Sequence, residues 1–212
     1  MPFLQNHDQV GNRALGERLT LLAPPEALRL ASAVLLLAPS VPLIFMGEEF
    51  GARSPFLYFC DFQGELAKAV RDGRRREFAS FTRFGGDSAA SIPDPNAEET
   101  FLASKLPWAD AGHGEHAQWL EHYRSLLRLR AREIAPRLAK GARGAFEAIG
   151  ATGVKVDWTL GDGSRLHLRA NFSKEPAAFA AAPGERLHHE GPAPQGPTLA
   201  AWGGAWTLER AG

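Results

Sequence analysis

The chain has 212 residues, 44% of them hydrophobic, so it is long enough to bury one large core or two smaller cores and does not have the composition of a disordered protein. Its 24 basic residues balance its 24 acidic residues, which argues against nucleic acid or an anionic membrane as a partner. The single cysteine, Cys60, cannot form an intrachain disulfide, and no segment has the pattern of a membrane span or a signal peptide. We therefore expect a soluble, cytoplasmic protein that binds a neutral partner.

The first half of the chain predicts a strand, a helix and a second strand. Residues 3–5 indicate the end of a strand. Pro25 and Glu26 are typical of a helix start, and this helix is predicted to run to about Ala38. The unbroken apolar run of residues 42–46, PLIFM, predicts a short strand that is buried on both faces. This order is typical of a parallel α/β unit.

Two longer helices are predicted next, over residues 65–84 and 115–133, because their apolar residues recur at helical spacing. The loop between them, residues 85–95, is rich in Gly, Ser, Asp and Pro. The helical pattern then ends at residues 136–144, PRLAKGARG, where Pro and Gly residues appear. We predict a domain boundary at this point.

After the boundary, apolar residues recur at every second position. Val154, Val156 and Trp158 alternate with polar residues, and Gly-Asp-Gly at residues 161–163 leads into a second alternating run over residues 166–170. This pattern predicts a β-hairpin. Further strands are predicted on either side of it, over residues 145–149 and 205–209. The last third of the chain is therefore expected to form a small antiparallel sheet or sandwich.

Residues 6–8, Asn-His-Asp, follow the first predicted strand directly. Polar residues at the carboxyl ends of strands carry the chemistry of open α/β sheets and of β/α barrels. From the pattern alone, His7 and Asp8 fit a catalytic site and a helix cap or packing contact equally well.

Two longer segments decide between these interpretations. The runs FLQNHDQVGNRALGERL (residues 3–19) and PLIFMGEEFGARSPFLYF (residues 42–59) closely resemble the malto-oligosyltrehalose trehalohydrolases, which belong to the α-amylase superfamily, glycoside hydrolase family 13. The resemblance continues through GRRREF, TFLASKLPW and YRSLLRLR. The Asn-His-Asp core is shared with amylases in general, whereas Gln9 and residues 11–16 look particular to the trehalohydrolases.

The resemblance implies an α/β fold joined to an all-β fold. Residues 1–138 would be the C-terminal remainder of a (β/α)8 catalytic barrel, comprising its seventh and eighth strands with their helices. Residues 139–212 would be a C-terminal antiparallel β-sandwich domain. Two strands cannot close a barrel, so the missing N-terminal portion of the barrel is expected to be needed for activity.

The resemblance also implies an activity, which is hydrolysis of the α-1,4-glucosidic bond next to the terminal trehalose of maltooligosyltrehalose, an α-glucan. In this role Asp8 would stabilise the transition state. The substrate cleft would be lined by His7, Gln9, Val10, Gly11, Asn12 and Arg13. No cofactor is implied. The nucleophilic Asp and the acid/base Glu would come from earlier strands, so the chain alone is expected to be inactive.

Three alternatives remain open. The chain could belong to another α-amylase superfamily enzyme, such as a branching enzyme or an amylase. It could be a non-catalytic fragment. It could also be a carbohydrate-binding module whose β-domain stacks sugars on aromatic residues, namely Trp158, Phe172, Phe179, Trp202 and Trp206. For Trp158, a core position is the stronger interpretation.

Several polar residues are interpreted as structural or solvated. His113, His116 and His122 match no zinc spacing and are expected at the surface, so no metal site is predicted. The same interpretation applies to residues 188–189, His-His. Arg74, Arg75 and Arg76 are expected on a solvated helix face. Glu48 and Glu49 are expected at the rim of the active site and not as its acid.

Overall fold

The computed structural model describes residues 1–79, 92–194 and 196–212. Its α-helices are α1 (His7–Gly11), α2 (Leu19–Leu22), α3 (Pro25–Leu37), α4 (Gly64–Ala79), α5 (Glu98–Ala103) and α6 (Gly114–Leu129). Shorter turns of 3-10 helix cover Glu48–Phe50, Trp108–Gly112 and Ala135–Leu138, and a π-helical turn covers Arg130–Ile134. The strands are β1 (Ala142–Ile149), β2 (Gly153–Leu160), β3 (Arg165–Asn171), β4 (Ala177–Ala178), β5 (Glu185–Glu190), β6 (Thr198–Leu199) and β7 (Gly204–Glu209).

The chain forms two compact units. The sheet unit contains α3, the second half of α6 and every strand, and it consists of Met1–Leu4, Ala23–Leu43 and Glu121–Gly212. The helical unit contains α1, α2, α4 and α5, and it consists of Gln5–Leu22 and Ile44–Leu120. The domains 1–138 and 139–212 stay a prediction.

Two predicted strands are absent from the part of the chain that the structure describes. Residues 3–5 and 42–46 belong to no strand. The backbone hydrogen bonds described there run from Leu43 N to Pro2 O (2.9 Å) and, within a turn, from Glu48 N to Phe45 O (2.9 Å). A parallel strand requires a ladder of evenly spaced hydrogen bonds to its neighbours. The described residues supply no such ladder here, so the two strand predictions are wrong for this chain, and the barrel stays a prediction.

The predicted helices are confirmed where the structure describes them. Helix α3 begins at Pro25, as the Pro and Glu residues at its start predict. Helix α4 begins at Gly64, but the predicted helix end at residues 80–84 and most of the predicted loop lie outside the described residues. Helix α6 begins at Gly114 and continues into the π-helical turn.

Arg130, the first residue of the π-helical turn, fixes the end of α3. The last carbonyl groups of a helix have no partner within the helix and need donors from elsewhere. The guanidinium group of Arg130 donates to four consecutive or nearly consecutive carbonyl oxygens, namely those of Leu36 (3.0 Å), Ala38, Pro39 (3.3 Å) and Ser40 (2.8 Å). Burial lowers the pKa of Arg130. One side chain thus replaces the helical cap that the sequence of α3 lacks.

The predicted β-hairpin is confirmed. Strands β2 and β3 pair antiparallel with Trp158 opposite Leu166 and Val156 opposite Leu168. They form the centre of a five-stranded antiparallel sheet with the order β1-β2-β3-β7-β5, and β4 and β6 form a separate two-stranded sheet. The antiparallel sheet that the alternating pattern predicts is therefore present.

The five-stranded sheet has one apolar face and one polar face. Leu166, Leu168, Trp206 and Leu208 are almost fully buried on the apolar face. There, Gly204 lets Leu30 of α3 approach, since a Cβ at Gly204 would lie 2.6 Å from Leu30 Cδ1. A buried Trp206 cannot stack a sugar, so the aromatic platform proposed for the β-domain loses this member.

Trp158 differs from the prediction. It is half-buried and not in the core, and its ring covers Gly144 of β1, where a Cβ would lie 2.4 Å from the ring. Glycine at this position is what allows the indole to lie flat across the neighbouring strand.

His122 is buried between α3 and β5, so the prediction that it lies at the surface is wrong. Ser32 Oγ donates to Arg29 O (2.9 Å), which leaves its lone pairs to accept from His122 Nε2 (2.9 Å). Nδ1 then accepts from Arg29 Nη2 (3.2 Å). The carboxylate of Glu190 lies 3.6 Å from Nδ1 and accepts from His188 Nε2 (2.8 Å). These partners fit the neutral, Nε2-protonated imidazole.

Replacing the side chain that caps α3 should destabilise the fold. Arg130→Met removes every donor to the four carbonyl groups, and we expect the free energy of unfolding to fall by about 2–4 kcal/mol. The measurement is urea unfolding followed by circular dichroism. Arg128→Met is the matched control, because Arg128 is exposed on the preceding helical turn, and it should change stability by no more than about 0.5 kcal/mol. Equal losses in both variants would contradict the capping role.

The buried imidazole should make stability depend on pH. Burial lowers the pKa of His122 from 6.5 to about 4, and the opposing attraction of Glu190 only partly offsets it, while Arg29 and His188 lower it further. The unfolded chain therefore takes up the proton first as pH falls, so this contribution is complete above pH 6.5 and is lost between about pH 6.5 and pH 4. The loss should reach ~3 kcal/mol.

Urea unfolding across this pH range measures the effect. His122→Gln should remove that part of the slope, and His113→Gln, which changes an exposed histidine, should leave it intact. An unchanged slope in His122→Gln would refute the assignment.

Candidate functional site

Helix α1 holds the Asn-His-Asp motif at its start. Asn6 is the N-cap residue, and its Oδ1 accepts a hydrogen bond from Gln9 N (2.7 Å). Asparagine is among the preferred N-cap residues, because its side chain satisfies a backbone donor that the first turn leaves free. His7 and Asp8 are thus the first two residues of a capped helical turn, which fixes their backbone positions.

The side chains of His7 and Asp8 face each other in the open. His7 Nδ1 lies 3.1 Å from Asp8 Oδ1, and the two side chains are 74% and 84% exposed. An ion pair with this exposure contributes little to stability, because water competes for both partners. The pair is therefore available for a ligand.

His7 and Asp8 line a pocket of about 180 Å³ together with Gly11 and Asn12. The opposite wall comes from residues 56–59, Phe-Leu-Tyr-Phe. Asp8 supplies the only carboxylate among the lining residues. The pocket thus combines a carboxylate, an imidazole and an amide with exposed aromatic rings, which is a surface suited to a neutral polyhydroxylated ligand.

The aromatic wall was not assigned from the sequence. The ring of Phe56 packs edge-on against His7, with centroids 5.2 Å apart, and against Phe59 at 5.8 Å. Phe59 in turn packs edge-on against Phe101 at 5.3 Å. The signal that could have identified this wall is the run of three aromatic residues between Pro55 and Cys60, in a loop segment where a core strand was not expected.

Phe56 is fixed by a close approach of two backbone segments. Its N–H donates to Gly16 O (2.9 Å), and a Cβ at Gly16 would lie 2.5 Å from Phe56 O. Gly16 has φ 58°, a left-handed conformation that favours glycine. Val10, Phe45 and Phe56 form a small buried cluster below the pocket. Glycine at position 16 is therefore what allows the aromatic wall to dock.

Arg18 is buried and connects the two ends of the loop between Met46 and Ser54. Its Nε donates to Ser54 O (2.7 Å) and its Nη1 to Met46 O (2.8 Å), while the guanidinium lies over the ring of Phe45 at 5.2 Å. Burial lowers the pKa of Arg18, and the charges of Glu48 and Glu49 partly offset this. Its Nη2 has no hydrogen-bond partner among the described residues.

Glu48 is buried, so the prediction that it lies at the rim of the pocket is wrong. Its Oε2 is 3.4 Å from Phe45 N and 3.5 Å from Gln5 Nε2, and Gln5 Oε1 accepts from Leu19 N (2.8 Å). Glu48 does not line the pocket. The carboxylate compensates the nearby charge of Arg18, which is a structural role.

Arg74 is also buried, so the prediction of a solvated face is wrong for this residue. Its Nη2 donates to Gly11 O and Arg13 O, both at 3.3 Å, and its guanidinium lies 4.8 Å from the ring centroids of Tyr58 and Phe78. Arg74 therefore joins the backbone after α1 to the aromatic wall. Arg76 is exposed, as expected.

The remaining residues of the predicted cleft lie beside the pocket. Gln9 is exposed, and Val10 is fully buried in the cluster with Phe45. The side chain of Arg13 donates to Glu17 O. None of these three lines the pocket, whereas His7, Asp8, Gly11 and Asn12 do. Their roles in substrate binding stay predictions.

The described residues show no metal site and no membrane helix. No three His, Cys, Asp or Glu side chains cluster there as metal ligands would. His113 is exposed and His116 is half-buried, with its Nδ1 2.8 Å from Phe50 O. No helix in the described part of the chain is long and apolar enough to cross a membrane.

Curated relatives confirm the resemblance that the motifs indicate. The chain is 50% identical over 127 residues to the malto-oligosyltrehalose trehalohydrolase of Deinococcus radiodurans, a match that covers 60% of this chain and 21% of that protein. It is 49% identical over 137 residues to the malto-oligosyltrehalose trehalohydrolase of Rhizobium sp. (strain M-11), covering 64% of this chain and 22% of that protein. The match thus spans about a fifth of the length of these relatives.

A family model matches the C-terminal part of the chain, and solved structures match almost all of it. The model described as "Domain of unknown function (DUF3459)" matches residues 141–206, which include most of the five-stranded sheet. A Salmonella typhimurium protein solved as a candidate α-amylase is 40% identical, with a TM-score of 0.89, covering 98% of this chain and 35% of that chain. Trehalulose synthase MutB of Pseudomonas mesoacidophila is 17% identical, with a TM-score of 0.57, covering 99% of this chain and 43% of that chain. The chain thus has a fold found in α-amylase family enzymes.

Gly16 and Gly64 offer a matched test of the aromatic wall. Both have φ near 60°, but a Cβ at Gly64 would meet no atom within 4 Å. Gly64→Ala should therefore cost only about 1 kcal/mol, for the left-handed backbone. Gly16→Ala should cost about 3 kcal/mol or more, because the new methyl group also collides with the backbone of Phe56. Urea unfolding measures both values, and equal costs would show that the Phe56 segment does not dock closely at Gly16.

Proposed function

We propose that this chain is the C-terminal part of a glycoside hydrolase that cleaves the α-1,4-glucosidic bond next to the terminal trehalose of maltooligosyltrehalose and releases trehalose. The observation that carries the proposal is the pocket in which His7, Asp8 and Asn12 face the aromatic wall of residues 56–59. The names of the curated relatives supply the reaction. The α-glucan substrate is neutral, and the balanced charge of the chain favours a neutral ligand.

Within this proposal, Asp8 stabilises the transition state. A carboxylate held beside the reacting sugar favours the positive charge that develops at the anomeric carbon. His7 donates a hydrogen bond to a hydroxyl group of the same sugar, and Asn12 can both donate and accept. Phe59 offers its exposed ring to an apolar face of a neighbouring sugar.

Residues 1–138 would complete a (β/α)8 barrel together with an N-terminal portion of the enzyme, and residues 139–212 would form the C-terminal β-domain. The match covers about a fifth of the relatives' length, which supports a larger enzyme of which this chain is one part. In the complete barrel, residues 3–5 and 42–46 would find the neighbours that turn them into the seventh and eighth strands. We place the enzyme in the cytoplasm, which the single cysteine favours.

The chain alone should release no trehalose from maltooligosyltrehalose. A retaining glycosidase needs two carboxyl groups about 5 Å apart, and Asp8 is the only acidic residue that lines the pocket. The assay incubates the purified chain with maltooligosyltrehalose and measures trehalose. Steady turnover that Asp8→Asn abolishes would contradict this expectation.

A chimera tests the function itself. In the Deinococcus radiodurans trehalohydrolase, the matching segment is replaced by this chain, and trehalose release is measured. We expect activity, and Asp8→Asn should lower kcat about 100-fold to 1,000-fold. Asp61→Asn is the matched control, since Asp61 is exposed and does not line the pocket.

Two outcomes would contradict the proposal. A folded chimera that forms branches on α-glucan and releases no trehalose would favour a branching enzyme. Equal activity in Asp8→Asn and Asp61→Asn would remove Asp8 from the site.

A further inference from the structure

A second pocket, of about 90 Å³, lies on the polar face of the five-stranded sheet. Arg169 of β3, Arg186 of β5 and Thr207 of β7 line it from that sheet, and Phe179 and Leu199 line it from the β4–β6 side. Two arginines and no acidic residue are among its lining residues. This pocket is distinct from the one that carries the proposed function.

Arg169 is 6% exposed and uses only one of its three guanidinium nitrogens. Its Nη1 donates to Asp157 Oδ1 (2.8 Å), Leu168 O (2.8 Å) and Val156 O (3.4 Å). Its Nε is buried and has no hydrogen-bond partner among the described residues, and its Nη2 makes no hydrogen bond with them either. A buried N–H group without a partner is costly and needs an acceptor.

The acceptors nearest to Arg169 are already engaged. Asp157 Oδ1 also binds His167 Nδ1 (2.7 Å), and the other ring nitrogen of His167 lies 3.1 Å from Glu209 Oε2. Burial alone would raise the pKa of Asp157, but the hydrogen bonds from His167 and Arg169 and their charges outweigh it, so the pKa is lowered. Asp157 is therefore an ionised carboxylate shared by His167 and Arg169 and approached by Lys155, whose Nζ lies 3.9 Å from Oδ2, so it compensates only part of the positive charge beside the pocket.

Arg186 adds a second charge that no described residue compensates. It pairs with Thr207 in the register of β5 and β7, and β7 lies between it and Arg169 on β3. The side chain of Arg186 makes no hydrogen bond or ion pair with the residues that the structure describes. The hydroxyl of Thr207 donates to Pro183 O (2.6 Å). The pocket thus presents unused guanidinium donors from two strands.

We propose that this pocket binds a small free oxyanion such as inorganic phosphate. Guanidinium groups bind tetrahedral and planar oxyanions through paired, charge-assisted hydrogen bonds, which are stronger than neutral ones. The volume of about 90 Å³ admits such an ion, whereas pockets for drug-sized ligands start at about 300 Å³. The anion binds Nη2 of Arg169, since the buried Nε is closed to a ligand, together with the guanidinium of Arg186, and it thereby connects β3 with β5 across β7.

Titration of the chain with inorganic phosphate at constant ionic strength tests the site. Isothermal calorimetry measures the affinity, and the NMR signal of the Arg169 Nε–H group reports a ligand at the same guanidinium group. We expect saturable binding, a shift of this signal and a phosphate-dependent rise in Tm. A parallel titration with acetate tells whether the pocket prefers a tetrahedral or a planar oxyanion.

Arg186→Gln supplies the decisive variant, since Arg186 is exposed and makes no contact on which folding depends. It should weaken phosphate binding about tenfold and leave the Tm in phosphate-free buffer unchanged. Arg165→Gln is the matched control, because Arg165 is exposed on the same face of β3 but does not line the pocket, and its affinity should stay unchanged.

Either of two results would overturn the proposal. The first is an Arg169 signal that does not shift at phosphate concentrations up to 10-fold above the weakest dissociation constant that calorimetry detects. The pocket would then be filled by water. The second is equal affinity in Arg186→Gln and Arg165→Gln, which would indicate non-specific attraction to surface arginines. Neither result depends on trehalose release, so failure here is distinguishable from failure of the proposed function.

Discussion

The candidate pocket depends on the buried guanidinium group of Arg18. Its hydrogen bonds to Met46 O and Ser54 O hold the two ends of one loop, and its charge lies over the ring of Phe45. Phe56 follows this loop closely, so the path of the loop sets the position of Phe56. Phe56 is the first residue of the aromatic wall. Removing a guanidinium from water is costly, but two carbonyl groups, one ring and the nearby carboxylate of Glu48 offset that cost.

Arginine side chains donate to backbone carbonyl groups elsewhere in the chain as well. Arg130 serves the carbonyl groups at the end of α3, and Arg74 serves those of Gly11 and Arg13. Much of the described chain outside the five-stranded sheet is irregular, so many of its carbonyl groups have no ladder partner. An arginine can satisfy several of them at once because its planar group carries five donors. Arg18 and Arg169 each keep one buried nitrogen without a hydrogen-bond partner among the described residues, so their burial is only partly compensated.

What the sequence could predict follows from how local each signal is. The hairpin of β2 and β3 and the helix α3 were predicted because their patterns and turn residues lie within the elements themselves. The strands predicted at residues 3–5 and 42–46 do not form in this chain, because a parallel strand exists only with neighbours from distant segments. The burial of Arg74 and His122 is likewise a tertiary property, and a charged or polar residue within a helical pattern is most often solvated.

The seven residues predicted for the cleft show that a local pattern does not reveal tertiary contacts. Their local pattern correctly indicates a polar cluster after residue 5, and the structure brings four of the seven predicted residues to one pocket. It could not indicate that Val10 faces the core or that Arg13 turns back to its own loop, since both outcomes depend on how the short α1 sits on Phe45 and Phe56.

The exposure of His7 and Asp8 bears directly on the role proposed for them. A carboxylate that is 84% exposed is screened by water, and its effect on a developing positive charge is small. The same carboxylate in a dry site acts far more strongly, because a fixed charge in a low-dielectric surrounding does not have to reorganise during the reaction. The catalytic role proposed for Asp8 therefore requires something that removes water from this pocket. The substrate can do so in part, by covering the pocket and the ring of Phe59. An N-terminal barrel portion would complete the enclosure, which is a physical reason, separate from the supply of two further carboxyl groups, for expecting activity only in the complete enzyme.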